Sequence, residues 1–188
     1  PYMYQTPEGE PLASFYLIKT DGIFQSDAEA AAYVNKDGKR IQPDAVAGDL
    51  KFVDANGDGV INDEDRQYCG SATPKTTFSF SGGFTWKKLS VSAMFQGVAK
   101  RDWDPGTGAY FWGSGPYAQV TVFKEHLDYW SETNTGAYYP KPYIHTAGGV
   151  VPFRNKTMTL SDRYLQSGAY CRLKNLTVSY DCLLYTSP

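Results

Sequence analysis

Cysteine and histidine are scarce in this sequence of 188 residues. Its three cysteines, Cys69, Cys171 and Cys182, are an odd number without C-x-x-C spacing, so neither a zinc cluster nor a disulfide framework can be read from them. The two histidines, His126 and His145, have no Cys or carboxylate at ligand spacing, which argues against a transition-metal site. Charge of one sign is also lacking: 18 Lys and Arg stand against 20 Asp and Glu, a net charge of −2. That balance leaves no basic footprint for nucleic acid and no polybasic membrane anchor. No apolar run is long enough for a membrane-spanning helix, and no signal-peptide pattern opens the chain. It begins at Pro1 rather than Met, which reads as a piece of a longer chain whose targeting segment lies upstream. Nucleotide-cradling glycine loops and the G-x-S-x-G nucleophile elbow are missing, and nothing selects a carboxylate pair, so the chain is not read as an enzyme.

Aromatic residues, glycine and proline are plentiful. Aromatics make up 15% of the chain, with 15 Tyr, and they are joined by 18 Gly and 11 Pro. This composition favours strands and turns over helices. Residues 12 to 24 read as a strand ending at the Asp21-Gly22 turn signal. Ser26 and Glu29 have capping-box spacing and predict a short helix through Ala30 to Val34, stopping before the polar turn Lys36-Asp37-Gly38-Lys39. From there to about residue 50 the chain reads as irregular, and residues 66 to 75 read as turn-like.

The clearest periodicity runs from Thr76 to Val98. Phe78, Phe80, Gly82, Phe84 and Trp86 alternate with Thr77, Ser79, Ser81, Gly83 and Thr85. After Lys87-Lys88, Leu89, Val91, Ala93 and Phe95 alternate with Ser90, Ser92, Met94 and Gln96. This is a β-hairpin with a tight turn, whose arms have the roughly 9–11 residues that a tilted strand needs to cross a bilayer's hydrocarbon layer. A soluble sandwich, with the aromatic side in its core, and a transmembrane barrel, with that side on lipid, both fit the alternation. The polar side is mostly Ser, Thr, Gln and Gly, unlike the Lys and Glu that cover a solvated sheet.

Residues 99 to 161 form one long connection with a helical stretch near Ala118 to Trp130, in which Val122, His126 and Tyr129 lie on a packing stripe. Residues 164 to 180 are a further strand candidate, with Leu176, Val178 and Tyr180 against Asn175, Thr177 and Ser179. Four strands cannot close a barrel and would leave edges bare.

Two sets of residues point to chemistry. Residues 54 to 65 match D-x-[DN]-x-[DN]-G-x-I with an acidic residue at the twelfth position, the spacing of a calcium loop. Asp54, Asn56, Asp58, the Val60 carbonyl, Asn62 and Asp65 would supply hard oxygens to Ca²⁺, with Gly59 permitting the sharp turn. Asp65 has a shorter arm than the usual Glu, so weak affinity is expected, on the order of 10⁻⁴ to 10⁻³ M, with the ion rigidifying a loop. A cluster of Asp, Asn and Gly is also good turn sequence without any ion. Trp103, Tyr110, Phe111 and Trp112 could stack on sugar rings as a ligand-binding set, or simply pack the long connection.

The order of segments adds a resemblance. Ser14-Phe15-Tyr16, Lys19 to Gln25, and Gly48 to Asp54 leading into Asn56-Gly57-Asp58-Gly59-Val60-Ile61 resemble the SusC/RagA family of TonB-dependent outer-membrane transporters. Pro74-Lys75, Phe95-Gln96-Gly97-Val98 and Tyr170 to Thr177 continue the likeness in order, over nearly the whole chain. The resemblance implies an all-β fold: an incomplete segment of a transmembrane antiparallel β-barrel with long extracellular loops and short loop helices, in the bacterial outer membrane. Residues 1–180 would be the partial barrel, with the calcium-like loop at 54–65 and an extracellular loop at 99–161. Lys87-Lys88 would be a periplasmic turn.

The implied function is a share in a TonB-dependent importer of glycans or other nutrients, its strands against outer-membrane lipid and its loops facing oligosaccharide or peptide. Implied partners are a SusD-like surface lipoprotein and TonB, the latter through a plug region upstream. Residues 181–188 depart from the family's pattern and are expected to be a non-native tail. The alternative is a secreted calcium-stabilised β-module that binds carbohydrate.

Overall fold

A computed structural model describes residues 4–105, 124–143 and 159–182. Its strands are β1 (Tyr4–Gln5), β2 (Ser14–Ile18), β3 (Thr20–Ile23), β4 (Leu50–Phe52), β5 (Arg66–Ser71), β6 (Thr76–Trp86), β7 (Leu89–Lys100), β8 (Asp102–Trp103), β9 (Gln166–Ser167) and β10 (Tyr170–Tyr180). One helix, α1 (Asp27–Ala32), and 3₁₀ turns at Asp63–Asp65, Lys124–Leu127 and Asp162–Tyr164 complete the described elements. The strands form two three-stranded sheets, β1-β2-β5 and β10-β7-β6, and two pairs, β3-β4 and β8-β9, with every pairing between strands antiparallel. Among the described residues no sheet closes into a barrel.

The hairpin forms in the register that its alternation predicts. Trp86 pairs with Leu89 and Phe80 with Phe95, so apolar residues meet apolar residues across the ladder. Lys87 takes a left-handed φ of 54° in the two-residue turn, a conformation such turns require of their first residue. β10 then adds to the free side of β7, pairing Leu176 with Ala93, Val178 with Val91 and Tyr180 with Leu89. A bulge at Lys174 shifts the register by one residue, and Asn175 lies opposite Met94.

The rest of the described chain folds around a buried core. Ile18, Ile23, Leu50, Phe52, Trp130, Ala137 and Tyr164 form one cluster, and Phe24, Ala30 and Ala45 a second with Tyr33 against it. α1 has only six residues, too few to hold alone, and it is fixed by burial of Ala30 and by its N-terminus. There the Ser26 hydroxyl accepts from Glu29 N at 3.1 Å, while the Glu29 carboxylate accepts from Gln25 N at 2.8 Å. Gly48, at φ 92°, lies where a Cβ would enter the Trp130 ring and the Lys141 side chain, so only glycine lets these elements close.

Several sequence expectations need correction. The strand expected over 12–24 breaks at Lys19 into β2 and β3, which pair with β5 and β4 respectively, and Asp21-Gly22 forms an irregularity within β3 instead of an exit turn. Residues 66–71, read as turn-like, form β5, because their partner β2 lies far away in sequence and leaves no local trace. The strand candidate over 164–180 starts only at Tyr170; Asp162–Tyr164 is a 3₁₀ turn and Gln166–Ser167 belongs with β8. The helix expected over 118–130 is, in its described part, the single turn Lys124–Leu127, after which Tyr129 bridges to Tyr139. Of the expected stripe, His126 is buried and Tyr129 half-buried, while Val122 lies outside the described residues.

Candidate functional site

The three long strands divide their side chains by chemistry. One face of β10-β7-β6 carries Phe78, Phe80, Phe84 and Trp86, then Leu89, Val91 and Phe95, then Leu173, Leu176, Val178 and Tyr180. Phe80 and Phe95 stack with ring centroids 5.0 Å apart. This face has no cover in the described structure: Phe84 is 64% exposed and Val178 62%. The opposite face carries Thr77, Ser79, Ser81, Thr85, Ser90, Ser92, Gln96, Asn175, Thr177 and Ser179, interrupted by Met94 and, at the loop end, by Val98 and Tyr170. No Asp or Glu occurs in any of the three strands, whose only charged residues are Lys100, Arg172 and Lys174. Strands of 11, 12 and 11 residues match the span of a tilted membrane strand.

The two ends of this sheet differ as well. At one end is the Lys87-Lys88 turn, with Trp86 and Tyr180 on the flanking strands and the Lys87 ammonium 4.9 Å from the centre of the Trp86 ring. At the other end β6 follows β5 after four residues, and β7 passes through Arg101 into β8. The long connection starts here, and its described part returns to the core: Lys141 N donates to Gly48 O at 2.8 Å and Trp130 Nε1 to Gln25 Oε1 at 3.1 Å. After it, Thr20 N and Oγ1 both donate to Asp162 Oδ1, at 2.9 and 2.7 Å.

The 54–65 loop is wound by its own side chains. Asp54 accepts from Gly57 N at 2.7 Å and from Gly59 N at 2.8 Å, Asn56 Oδ1 from Asp58 N at 2.9 Å, and Asp58 Oδ1 from Val60 N at 2.8 Å. Gly59 has φ 83°, and its missing side chain leaves room for Asn35. At the far end Asp65 is fully buried and ties the loop shut, accepting from Ala55 N and Asn62 N at 2.8 Å each. Asn62 caps the 3₁₀ turn through Glu64 N at 2.6 Å. The Val60 N–H, and next the Asn56 side chain, hold the Asp58 carboxyl below its ordinary range.

Asp54, Asn56, Asp58, Val60, Asn62 and Asp65 thus share one loop. Among the described residues, however, no group of three or more His, Cys, Asp or Glu side chains is gathered as a metal site would need. Of the aromatic set, Trp103 lies on β8 opposite Gln166 and is half exposed, while Tyr110, Phe111 and Trp112 lie outside the described residues.

Sequence reasoning missed the buried Asp49, which accepts from Val46 N at 2.9 Å and from the Tyr143 hydroxyl. Burial, and then Asp49 itself, push the Tyr143 hydroxyl far above its usual pKa. The Asp49–Tyr143 pair spans the chain between the two segments it joins, so no local pattern signals it.

No protein-family model matches the chain. It is similar to TonB-dependent receptor P3 of Formosa agariphila, 28% identical over 180 residues that cover 93% of this chain and 15% of that protein. It is also similar to TonB-dependent receptor P26 of the same organism, 26% identical over 174 residues, covering 92% and 16% respectively. The chain therefore spans about one sixth of the length of these relatives. Among solved structures, a chain of the RagAB peptide transporter matches 94% of this chain and 18% of its own, with 23% identity and a TM-score of 0.49. The chain is thus distantly similar to TonB-dependent receptors over nearly its whole length.

Proposed function

We propose that this chain is part of a TonB-dependent outer-membrane importer of glycans or other nutrients, in which β6, β7 and β10 form barrel wall and the remaining elements form ligand-facing loops. The observation that carries this reading is the sheet with two bare faces, one continuously apolar and aromatic, the other polar and free of carboxylates. A soluble sheet would place one of these faces on a core; a barrel wall puts the apolar face on lipid and the polar face on a wet lumen. Distant homology to TonB-dependent receptors supports a transport protein and not an enzyme.

In this reading residues 1–180 are partial barrel, the Lys87-Lys88 turn is periplasmic, and the opposite end is extracellular beneath a SusD-like lipoprotein. TonB acts through a plug elsewhere in the parent protein, and residues 181–188 are a non-native tail. Trp103, half exposed on β8, stacks on the oligosaccharide or peptide. The 54–65 loop takes a structural Ca²⁺ of weak affinity. Asp54 Oδ1, Asp54 Oδ2 and Asp58 Oδ1 each accept one backbone N–H and retain a lone pair for a cation.

The test is fractionation of cells that express the full-length protein carrying this chain. Recovery in outer-membrane envelopes that resist carbonate washing is expected; release as a water-soluble protein would overturn the proposal. For the loop, Asp58→Ala should weaken calcium binding without altering strand content, and an unchanged calorimetric titration would remove the ion.

A further inference from the structure

A cleft of about 160 Å³ opens where β5, β6, β7 and β8 meet at the loop end of the long sheet. Its walls include Pro11, Pro74 and Tyr68, and it is lined by three cations, Lys75, Lys100 and Arg101, against one carboxylate, Asp102. Asp102 is committed to the protein backbone: its Oδ2 accepts from Ser71 N at 3.1 Å. Arg101 is held from both ends, since its backbone oxygen accepts from Gly168 N at 2.8 Å and its stem packs over that glycine. Its Nε lies out of solvent and meets no hydrogen-bond acceptor among the described residues. Lys75 and Lys100 are fixed side by side, Lys75 N donating to Lys100 O at 2.9 Å.

We propose that this cleft binds a small oxyanion group, a carboxylate or a phosphate or sulfate ester. The forked terminal nitrogens of a guanidinium are suited to charge-assisted bonds with such a group, whereas the shielded Nε of Arg101 takes no part. The two lysines add positive potential, and the Pro and Tyr walls limit its screening by water. The cleft stands on its own geometry and does not depend on whether the sheet lines a lumen. The oxyanion could belong to a soluble ligand or to a lipid headgroup, since the chemistry of recognition is shared.

The experiment is titration calorimetry on the full-length protein in neutral detergent, with three probes: acetate, inorganic phosphate, and micelles doped with phosphatidylglycerol. Saturable binding of at least one probe is expected, weakened about tenfold or more in Arg101→Gln and less in Lys100→Gln, an exposed side chain whose loss leaves folding intact. Binding of acetate or phosphate without phosphatidylglycerol assigns the cleft to a soluble ligand; phosphatidylglycerol alone assigns it to lipid. Absence of saturable binding by all three probes, or equal binding by wild type, Arg101→Gln and Lys100→Gln, would overturn the proposal.

Discussion

Phe24 and Phe84 are the same side chain in opposite circumstances. Phe24 is fully buried with Ala30 and Ala45 beneath the Tyr33 ring, whereas Phe84 is 64% exposed on a sheet whose whole apolar side is bare. Around Phe24 the chain behaves as a water-soluble protein does, hiding apolar groups and capping its turns with Ser26, Asn35 and Asn62. Across β6, β7 and β10 it follows another rule, with long ladders of backbone pairing and, apart from Val98 near the loop end of β7, no buried apolar side chain. In the proposed reading the hydrophobic side chains on this sheet are not a core in waiting but a surface matched to an apolar solvent.

Four substitutions and one change of pH sharpen that contrast, each applied to the full-length protein. Phe24→Ala should cost the loop region about 3–5 kcal/mol, by lost transfer energy and a cavity, read as faster protease cleavage of residues 24–50. Phe84→Arg should cost roughly 2–4 kcal/mol in a bilayer, while Ser81→Arg on the polar face costs little, as compared by urea unfolding in liposomes. Equal costs at the two positions would erase the distinction between the faces. Ser26→Ala removes a cap from a helix of six residues and should cost about 1 kcal/mol, visible as faster amide exchange in α1 with the long sheet unaffected.

The smallest effect concerns pH. The folded structure lowers the Asp58 pKa from its ordinary 3.8, so its contribution to loop stability is present above that value and is lost as pH falls through the lowered one. The protection of the Gly57 to Val60 amides, exchange measured relative to the unstructured chain at the same pH, should therefore stay constant from neutral pH down to about 4 and fall below it.

The division between the regions also explains what the sequence disclosed. The hairpin and the alternation of β10 from Asn175 to Tyr180 were legible because alternation is a local signal and Lys87-Lys88 marks the hairpin's turn, whereas the pairing of β10 with β7 and its bulge were not. The capped helix at Ser26 was legible for the same reason. In contrast, β5 and the Asp49–Tyr143 pair depend on partners brought together only by the tertiary fold, and the two-residue strands β8 and β9 are too short to carry a period. Of the candidate calcium loop, the turn chemistry was readable residue by residue, including Gly59, whereas the burial of Asp65 as a backbone tie was not. The cationic cleft escaped notice because Lys75, Lys100 and Arg101 come together only when β7 folds back on β6.

The most direct test of the central claim is a cysteine scan along β6 from Thr77 to Trp86 in the full-length protein reconstituted into bilayers, each site carrying a fluorophore. The account predicts alternation with a period of two: labels at 78, 80, 84 and 86 quenched by a lipid-dissolved quencher, and labels at 77, 79, 81 and 85 quenched by aqueous iodide. Iodide access at every position, or aqueous quenching of both sets alike, would contradict it.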